Sequence, residues 1–324
     1  MKITIDGKEL EVTGQQTIWQ EAKAAGIAIP AMCMAEGREH RAGCMVCVVK
    51  DKVSGRMMTS CSTKPMEGMQ IETSSEEVLT QRRLALELLL SDHRADCEAP
   101  CTMVCREGLD VEQFLAAYDA GRLAQARAIL KRTWPDLPKV GCDECKAPCE
   151  KACRRGTIDK AVAIREIIHE VAAMEGLEDE VAESSWARLE ADVFAARLGR
   201  YNDKEKARVK AATTAKSGCL HCACDGREDC KLREYATQSA IKRPRYEVRS
   251  TLPVKDPQHV VGRMWFEPAK CIRCGLCVYN SDNGFTFVGR GFTMKIAIPE
   301  QNKANVTEEL ASICPTGAIY LKRY

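Results

Sequence analysis

Nineteen cysteines among 324 residues are the side chains here that can do chemistry. Seven lie between His93 and Cys153: Cys97, Cys101 and Cys105 in HRADCEAPCTMVC, then Cys142, Cys145, Cys149 and Cys153 in CDECKAPCEKAC. The others fall into three groups of four: Cys33, Cys44, Cys47 and Cys61; Cys219, Cys222, Cys224 and Cys230; Cys271, Cys274, Cys277 and Cys314. Gaps of two or three residues let a chain leave one thiolate, turn, and bring a second to the same metal centre. Soft thiolates select zinc or iron–sulfur clusters over magnesium or calcium. The two runs of the central seven can interleave around two 4Fe-4S clusters, the last Cys of one run serving the other cluster, as in bacterial two-cluster ferredoxins. The spacing therefore predicts a series of iron–sulfur clusters.

Composition excludes several alternatives. Lys+Arg 48 against Asp+Glu 46 leaves a net charge of +2, so no overall field favours nucleic acid or an anionic membrane. A secreted disulfide scaffold is the usual reading of so many cysteines. It disagrees with the start MKITIDGKEL, which has no apolar signal-peptide core. No apolar run approaches the ~20 residues of a membrane span. A soluble cytoplasmic protein with reduced thiols is expected. Zinc prefers isolated sets of four Cys or His and competes best at Cys219–Cys230.

The elements that must hold these residues begin with a β-rich stretch over residues 1–75. Ile3 and Ile5 alternate with polar residues, Asp6-Gly7 is a hairpin turn, and ELEVT returns. Thr17 and Gln20 form a capping box on TIWQEAKAAG, which Gly26 ends. Then comes C-x10-C-x2-C-x13-C, with Gly37 and Gly43 giving the backbone freedom around a cluster. This arrangement resembles the 2Fe-2S β-grasp domain at the head of the large peripheral iron–sulfur subunit of complex I and of related hydrogenase subunits. It departs from the plant ferredoxin spacing. The resemblance implies one 2Fe-2S cluster on Cys33, Cys44, Cys47 and Cys61. A helix follows over 76–92, with Ser74 and Glu77 as its capping box and Val78, Leu79, Leu84, Leu86, Leu88, Leu89 and Leu90 read as a core face.

His93 stands in H-x3-C, which resembles the start of the His-ligated cluster motif of complex I, H-x3-C-x2-C-x5-C; after Cys97 the spacing departs from it. The run EAPCTMVCREGLDVEQF, with VGCDECKAPCEKACRRGTIDKAVAI, resembles the two-cluster N-terminal domain of the glutamate synthase small subunit and of dihydropyrimidine dehydrogenase, over residues 93–175. Two helices broken at Gly121, the first capped by Asp110 with Gln113, join the two runs. The resemblance implies one cluster on Cys97, Cys101, Cys153 and a residue just before Cys97. It implies a second on Cys105, Cys145, Cys149 and a Glu or Gln on the next helix. That last position is Ile168, which cannot ligate iron. We expect His93 to complete the first set and Cys142 the second. The alternative for Cys142 is a thiol outside the cluster, with a non-protein ligand in its place.

Beyond residue 176 the sequence is charged and helical, with Trp186, Leu189, Val193, Phe194 and Leu198 as a buried stripe and KEKARVKAATTAK as a solvated helix or linker. CLHCACDGREDCKLREYA supplies four cysteines for one 4Fe-4S cluster; His221 is a neighbour or replaces Cys222 or Cys224. Its tail resembles the second half of the complex I His-Cys motif, which implies a two-cluster domain spliced into that motif. Near the end, Cys271, Cys274 and Cys277 form C-x2-C-x2-C with Gly275 at the turn. A ferredoxin's fourth cysteine position is Ser281 here, and Cys314-Pro315 supplies the partner. FTFVGRGFTMKIAI between them alternates like a strand pair. This spacing again resembles the complex I subunit.

The expected fold class is α+β: a β-grasp 2Fe-2S ferredoxin domain over 1–75, a helical two-cluster domain over 76–200, a linker and four-cysteine 4Fe-4S segment over 201–245, and a ferredoxin-like 4Fe-4S domain over 246–324. One 2Fe-2S and four 4Fe-4S clusters are expected. No G-x-G-x-x-G or Walker A sequence and no coherent catalytic set occur, so neither flavin nor nicotinamide is expected in this chain, and no catalysis of its own. By analogy with the resembled subunits, single electrons would pass between a flavoprotein linked to NAD(P)H and a catalytic oxidoreductase of hydrogenase or molybdenum/tungsten type. The alternative is a docking scaffold whose clusters are structural.

Overall fold

A computed structural model describes residues 1–93, 97–177, 207, 210, 215–224, 230–241 and 257–322. The apolar stripe expected from Trp186 to Leu198 and most of the basic stretch before Lys216 lie outside them. The described residues form two compact units. One holds 1–93, 230–241 and 257–322; the other holds 97–177, 207, 210 and 215–224.

In the first unit, β1 (Lys2–Ile5) and β2 (Lys8–Glu11) form a hairpin with Ile3 opposite Leu10. Asp6 and Gly7 both take positive φ, at 48° and 81°, as a type I′ turn requires. Helix α1 (Ile18–Ala24) carries the expected box: Thr17 accepts the Gln20 N–H, and Gln20 Oε1 accepts the Thr17 N–H at 2.9 Å. Strands β3 (Val48–Asp51), β4 (Met57–Thr59) and β5 (Gln70–Glu72) complete a sheet of order β2-β1-β5-β3-β4, in which only β1 and β5 run parallel. Ile3, Ile5, Ile18, Val49 and Ile71 make its core.

Helix α2 (Glu76–Asp92) has Ser75 at its N-cap with no side-chain cap bond, so the expected Ser74–Glu77 box is not what starts it. Val78, Arg82, Ala85, Leu86 and Leu90 share its buried face, whereas Leu79 and Leu88 are exposed. The leucines outnumber the positions one face can offer, because helical period places 78, 82, 85, 86 and 90 in one stripe. Arg82 tolerates burial because its guanidinium donates to the carbonyls of Val46 (3.0 Å), Val48 (3.1 Å) and Thr73 (3.0 Å).

The second unit is helical: α3 (Pro100–Met103), α4 (Val111–Asp119), α5 (Leu123–Thr133), α6 (Pro148–Lys151) and α7 (Ile164–Ala172). Asp110 caps α4 by accepting the Gln113 N–H, and Gly121 at φ 72° divides α4 from α5. Phe114, Leu115, Ile129, Leu130, Ile168 and Val171 fill the core.

The first unit resumes with α8 (Lys231–Gln238), β6 (Gln258–Val261), β7 (Met264–Phe266), α9 (Leu276–Tyr279), β8 (Thr286–Val288), β9 (Lys295–Ala297), α10 (Leu310–Ile313) and β10 (Ile319–Leu321). β10, β7 and β6 form one antiparallel sheet; β8 and β9 pair antiparallel as the alternation predicted, Thr286 opposite Ala297. Among the described residues no helix is long and apolar enough to cross a membrane.

Candidate metal centres

Cys33, Cys44, Cys47 and Cys61 are all buried, the first three between α1 and β3 and the last just past β4. Cys33 shares hydrogen bonds with Cys44 and Cys61, and Cys47 with Cys61. Those bonds draw the Cys33 thiol down, while bonding to Cys33 and then burial push Cys44 far up, and bonding to Cys33 and Cys47 and then burial do the same to Cys61. Four buried thiols this close cannot all ionise without a cation among them, and a deprotonated thiolate is what iron binds. The setting fits a metal–sulfur group. Met45 at φ 59° bends the Cys44–Cys47 turn, Arg82 holds its Val46 carbonyl, and the Ser60 hydroxyl holds the Cys47 carbonyl at 2.7 Å.

Cys271, Cys274, Cys277 and Cys314 line one apolar-walled pocket. Burial pushes the Cys271 thiol up to about 12 and those of Cys274 and Cys277 well above their usual range. Backbone N–H groups already point at sulfur: Arg273 N–H donates to Cys271 Sγ and Ile319 N–H to Cys314 Sγ, both at 3.3 Å. Arg273 reaches its bond from φ 57°. Gly275 sits at φ 83°, where an added Cβ would come within 2.9 Å of Phe287 and 3.1 Å of Tyr279. Ser281 has a structural task instead of the ligand's: its hydroxyl donates to the Cys277 carbonyl at 2.7 Å and accepts the Phe285 N–H at 2.9 Å.

Behind Cys271, Lys270 and Glu267 form an ion pair of 2.7 Å with side chains 1% and 2% exposed. The Lys270 carbonyl accepts the Thr316 hydroxyl at 2.9 Å and His93 Nδ1–H at 3.0 Å. His93 is buried, and that bond puts its proton on Nδ1. In the neutral ring Nε2 then carries the lone pair, the arrangement usual for a metal-binding histidine. His93 belongs to the first unit, whereas Cys97, Cys101 and Cys153 belong to the second.

In the second unit the thiols of Cys149, Cys145 and Cys105 lie near enough to Cys142 to act on its charge. Burial pushes Cys142 up to about 12 and Cys149 to about 11, and the neighbouring thiols act in the same direction. Ala147 at φ 48° turns the chain between Cys145 and Cys149, and Arg165 donates to the Cys145 carbonyl at 2.8 Å. Ile168 is buried in the apolar core.

A juxtaposition that the sequence did not suggest involves Cys101. Burial drives its thiol well up, and Cys219, Cys222 and Cys153 act in the same direction. These four cysteines line one cavity. Cys224 N–H donates to the Cys97 carbonyl at 3.4 Å, while Cys230 caps α8 in the first unit. His221 sets one ring nitrogen 3.2 Å from Glu112 and the other 3.3 Å from Asp119. Burial opposes its charge, but Asp119, Cys219 and Glu112 outweigh burial and raise it to about 12. Both nitrogens are engaged by carboxylates, so His221 is a charged neighbour of the cysteines. Glu112 and Asp119, seven residues apart on one face of α4, were the missed signal.

Residues 1–76 match the family described as "2Fe-2S iron-sulfur cluster binding domain", residues 87–179 "Dihydroprymidine dehydrogenase domain II, 4Fe-4S cluster", and residues 264–321 "4Fe-4S single cluster domain". The chain is 31% identical over 156 residues to the NADPH-Fe(3+) oxidoreductase subunit alpha of Geobacter sulfurreducens, covering 45% of this chain and 18% of that protein. It is 34% identical over 165 residues to a NADP-reducing hydrogenase subunit of Solidesulfovibrio fructosivorans, covering 46% and 27%. It is 27% identical over 152 residues to the mitochondrial NADH-ubiquinone oxidoreductase 78 kDa subunit of Candida albicans, covering 45% and 20%. The matched stretch thus spans 18–27% of the length of these relatives. A crystal structure of an NAD+-reducing NiFe hydrogenase in the H2-reduced state shares the fold, with TM-score 0.52 at 17% identity, covering 99% of this chain and 87% of that one. The chain therefore carries an N-terminal 2Fe-2S domain and middle and C-terminal 4Fe-4S domains.

Proposed function

We propose that this chain is a multi-cluster electron-transfer subunit with no catalytic centre of its own. Single electrons pass through it between a flavoprotein linked to NAD(P)H and a catalytic oxidoreductase subunit, in the cytoplasm. The N-terminal sheet is read as a β-grasp domain holding one 2Fe-2S cluster, and the remaining cysteines as holding four 4Fe-4S clusters. The observation that carries this reading is that buried and half-buried cysteines converge in separate places. The relatives, which include an NADPH-Fe(3+) oxidoreductase subunit and a NADP-reducing hydrogenase subunit, support the choice of partners.

Bound clusters would supply reversible one-electron chemistry. The residues do the rest. Apolar walls surround Cys271, Cys274 and Cys277. Backbone N–H groups aimed at Cys271, Cys314 and Cys219 stabilise negative charge on sulfur. Arg165 near Cys145 and charged His221 beside Cys219 set positive charge where thiolates gather. A coulometric titration of the anaerobic full chain tests the reading. Reversible uptake of about five electrons, one per cluster, is expected; protein that binds iron but accepts no electrons from reduced methyl viologen contradicts it.

A further inference from the structure

The cavity lined by Cys101, Cys153, Cys219 and Cys222 belongs to none of the ligand groups that spacing suggests. Cys101 sits in α3, Cys153 precedes the turn Arg154–Thr157, and Cys219 and Cys222 come from a segment more than sixty residues further on. We propose that these four cysteines form one complete iron–sulfur centre, a 4Fe-4S site that takes its second pair of thiolates from residues 219–222. Cys97 and Cys224 then stand outside it. The proposal rests on the reading of this chain as an iron–sulfur carrier and goes beyond it in assigning ligands.

Two independent observations support it. The first is local geometry. In Cys271-Ile272-Arg273-Cys274, the third residue is left-handed at φ 57° and its N–H meets the first sulfur at 3.3 Å. Cys219-Leu220-His221-Cys222 repeats that turn, with His221 at φ 46° and its N–H 3.3 Å from Cys219 Sγ. A non-glycine residue held at positive φ is strained and persists only where the surroundings impose it. The same strained turn with the same N–H···S bond therefore marks Cys219 and Cys222 as a ligand pair of the same kind.

The second is anchoring. The segment before Cys219 is fastened by contacts unrelated to sulfur. Asp119 accepts the Ser217 N–H at 2.7 Å and its hydroxyl at 2.6 Å, and Ser217 Oγ accepts the Cys219 N–H at 3.1 Å. Arg155, two residues from Cys153, donates to the Gly218 carbonyl at 3.2 Å. Lys216 lies 4.4 Å from the centre of the Tyr118 ring. His221 is clamped between Glu112 and Asp119. These bonds hold Cys219 and Cys222 facing Cys101 and Cys153, so the site is preorganised by protein groups.

The test is a pairing experiment on the anaerobically reconstituted full chain, read by iron content and low-temperature EPR. C153A and C219A should each lose about four iron atoms and remove the same reduced-state signal, and the double variant should lose no more than either alone. Loss of about eight atoms in the double variant, or removal of two different signals, overturns the proposal. C97A should keep the signal that C153A removes; its disappearance from a folded C97A protein counts against the assignment. If the cysteine variants misfold, an iron anomalous map of the unaltered chain decides by showing which four sulfurs surround one cluster. Stoichiometric zinc in the unaltered chain would instead refute the iron–sulfur reading itself.

Discussion

His93 is a buried ring whose orientation is set by one backbone carbonyl. The Lys270 carbonyl accepts the hydrogen bond of Nδ1–H, which in a neutral ring leaves the lone pair on Nε2. We infer that this nitrogen ligates iron in the full assembly. His93→Cys would replace a neutral ligand with an anionic thiolate, and added negative charge disfavours reduction. The variant should keep its iron and show a lower midpoint potential for one cluster, as comparison of His-ligated and all-cysteine centres implies. Unchanged potentials in a potentiometric titration would exclude ligation. Cys142 makes the matching case. Cys142→Ala should cost about four iron atoms and one EPR signal; full retention of both would mean a non-protein ligand serves the cluster of Cys105, Cys145 and Cys149. The residue types and counts were legible in the sequence, but the pairing of Cys219 and Cys222 with Cys101 was not. Spacing reports only which ligands are near in the chain, and the anchors at Asp119 and Arg155 act across it.

At the scale of elements, the turn before the C-terminal cysteines depends on a buried charge pair. Glu267 and Lys270 are three residues apart in a 3-10 turn and both lie out of water. Lys270→Met leaves Glu267 buried without its cation and should destabilise the chain by roughly 3–5 kcal/mol. Lys270→Met with Glu267→Gln should recover most of that in chemical denaturation; equal losses in both variants would show that packing, not charge, is what matters. In the N-terminal sheet, Asp51 accepts N–H groups from Val53, Ser54 and Gln70 and the Ser54 hydroxyl. Burial opposes its charge, but these bonds prevail and hold its carboxyl below the unfolded value of 3.8. Its stabilisation is therefore present above pH 3.8 and is lost as pH falls through the lower folded value. Asp51→Asn should be less stable at neutral pH, and the gap to the unaltered chain should shrink in acid. Hairpin β1–β2, the Thr17–Gln20 box and pair β8–β9 could be read from turn chemistry and alternation. The face of α2 could not, because leucine-rich helices offer several candidate stripes and three carbonyls made a place for Arg82.

For the whole molecule, cysteine count constrains the answer more than any fold argument. Nineteen cysteines and His93 would provide twenty ligands, four for each of the five clusters proposed. The sequence could show that count but not the partition, because α2 and α8 fold with the terminal sheets while Cys219–Cys224 fold with the helical unit. The most direct measurement is a potentiometric EPR titration of the anaerobic full chain, combined with iron and zinc analysis. One fast-relaxing family of 4Fe-4S signals and one 2Fe-2S signal, each appearing and vanishing reversibly with a one-electron slope, and about 18 iron atoms per chain, are the predicted result. Iron near ten, stoichiometric zinc, or clusters that no applied potential reduces would contradict the account of this chain as an electron relay.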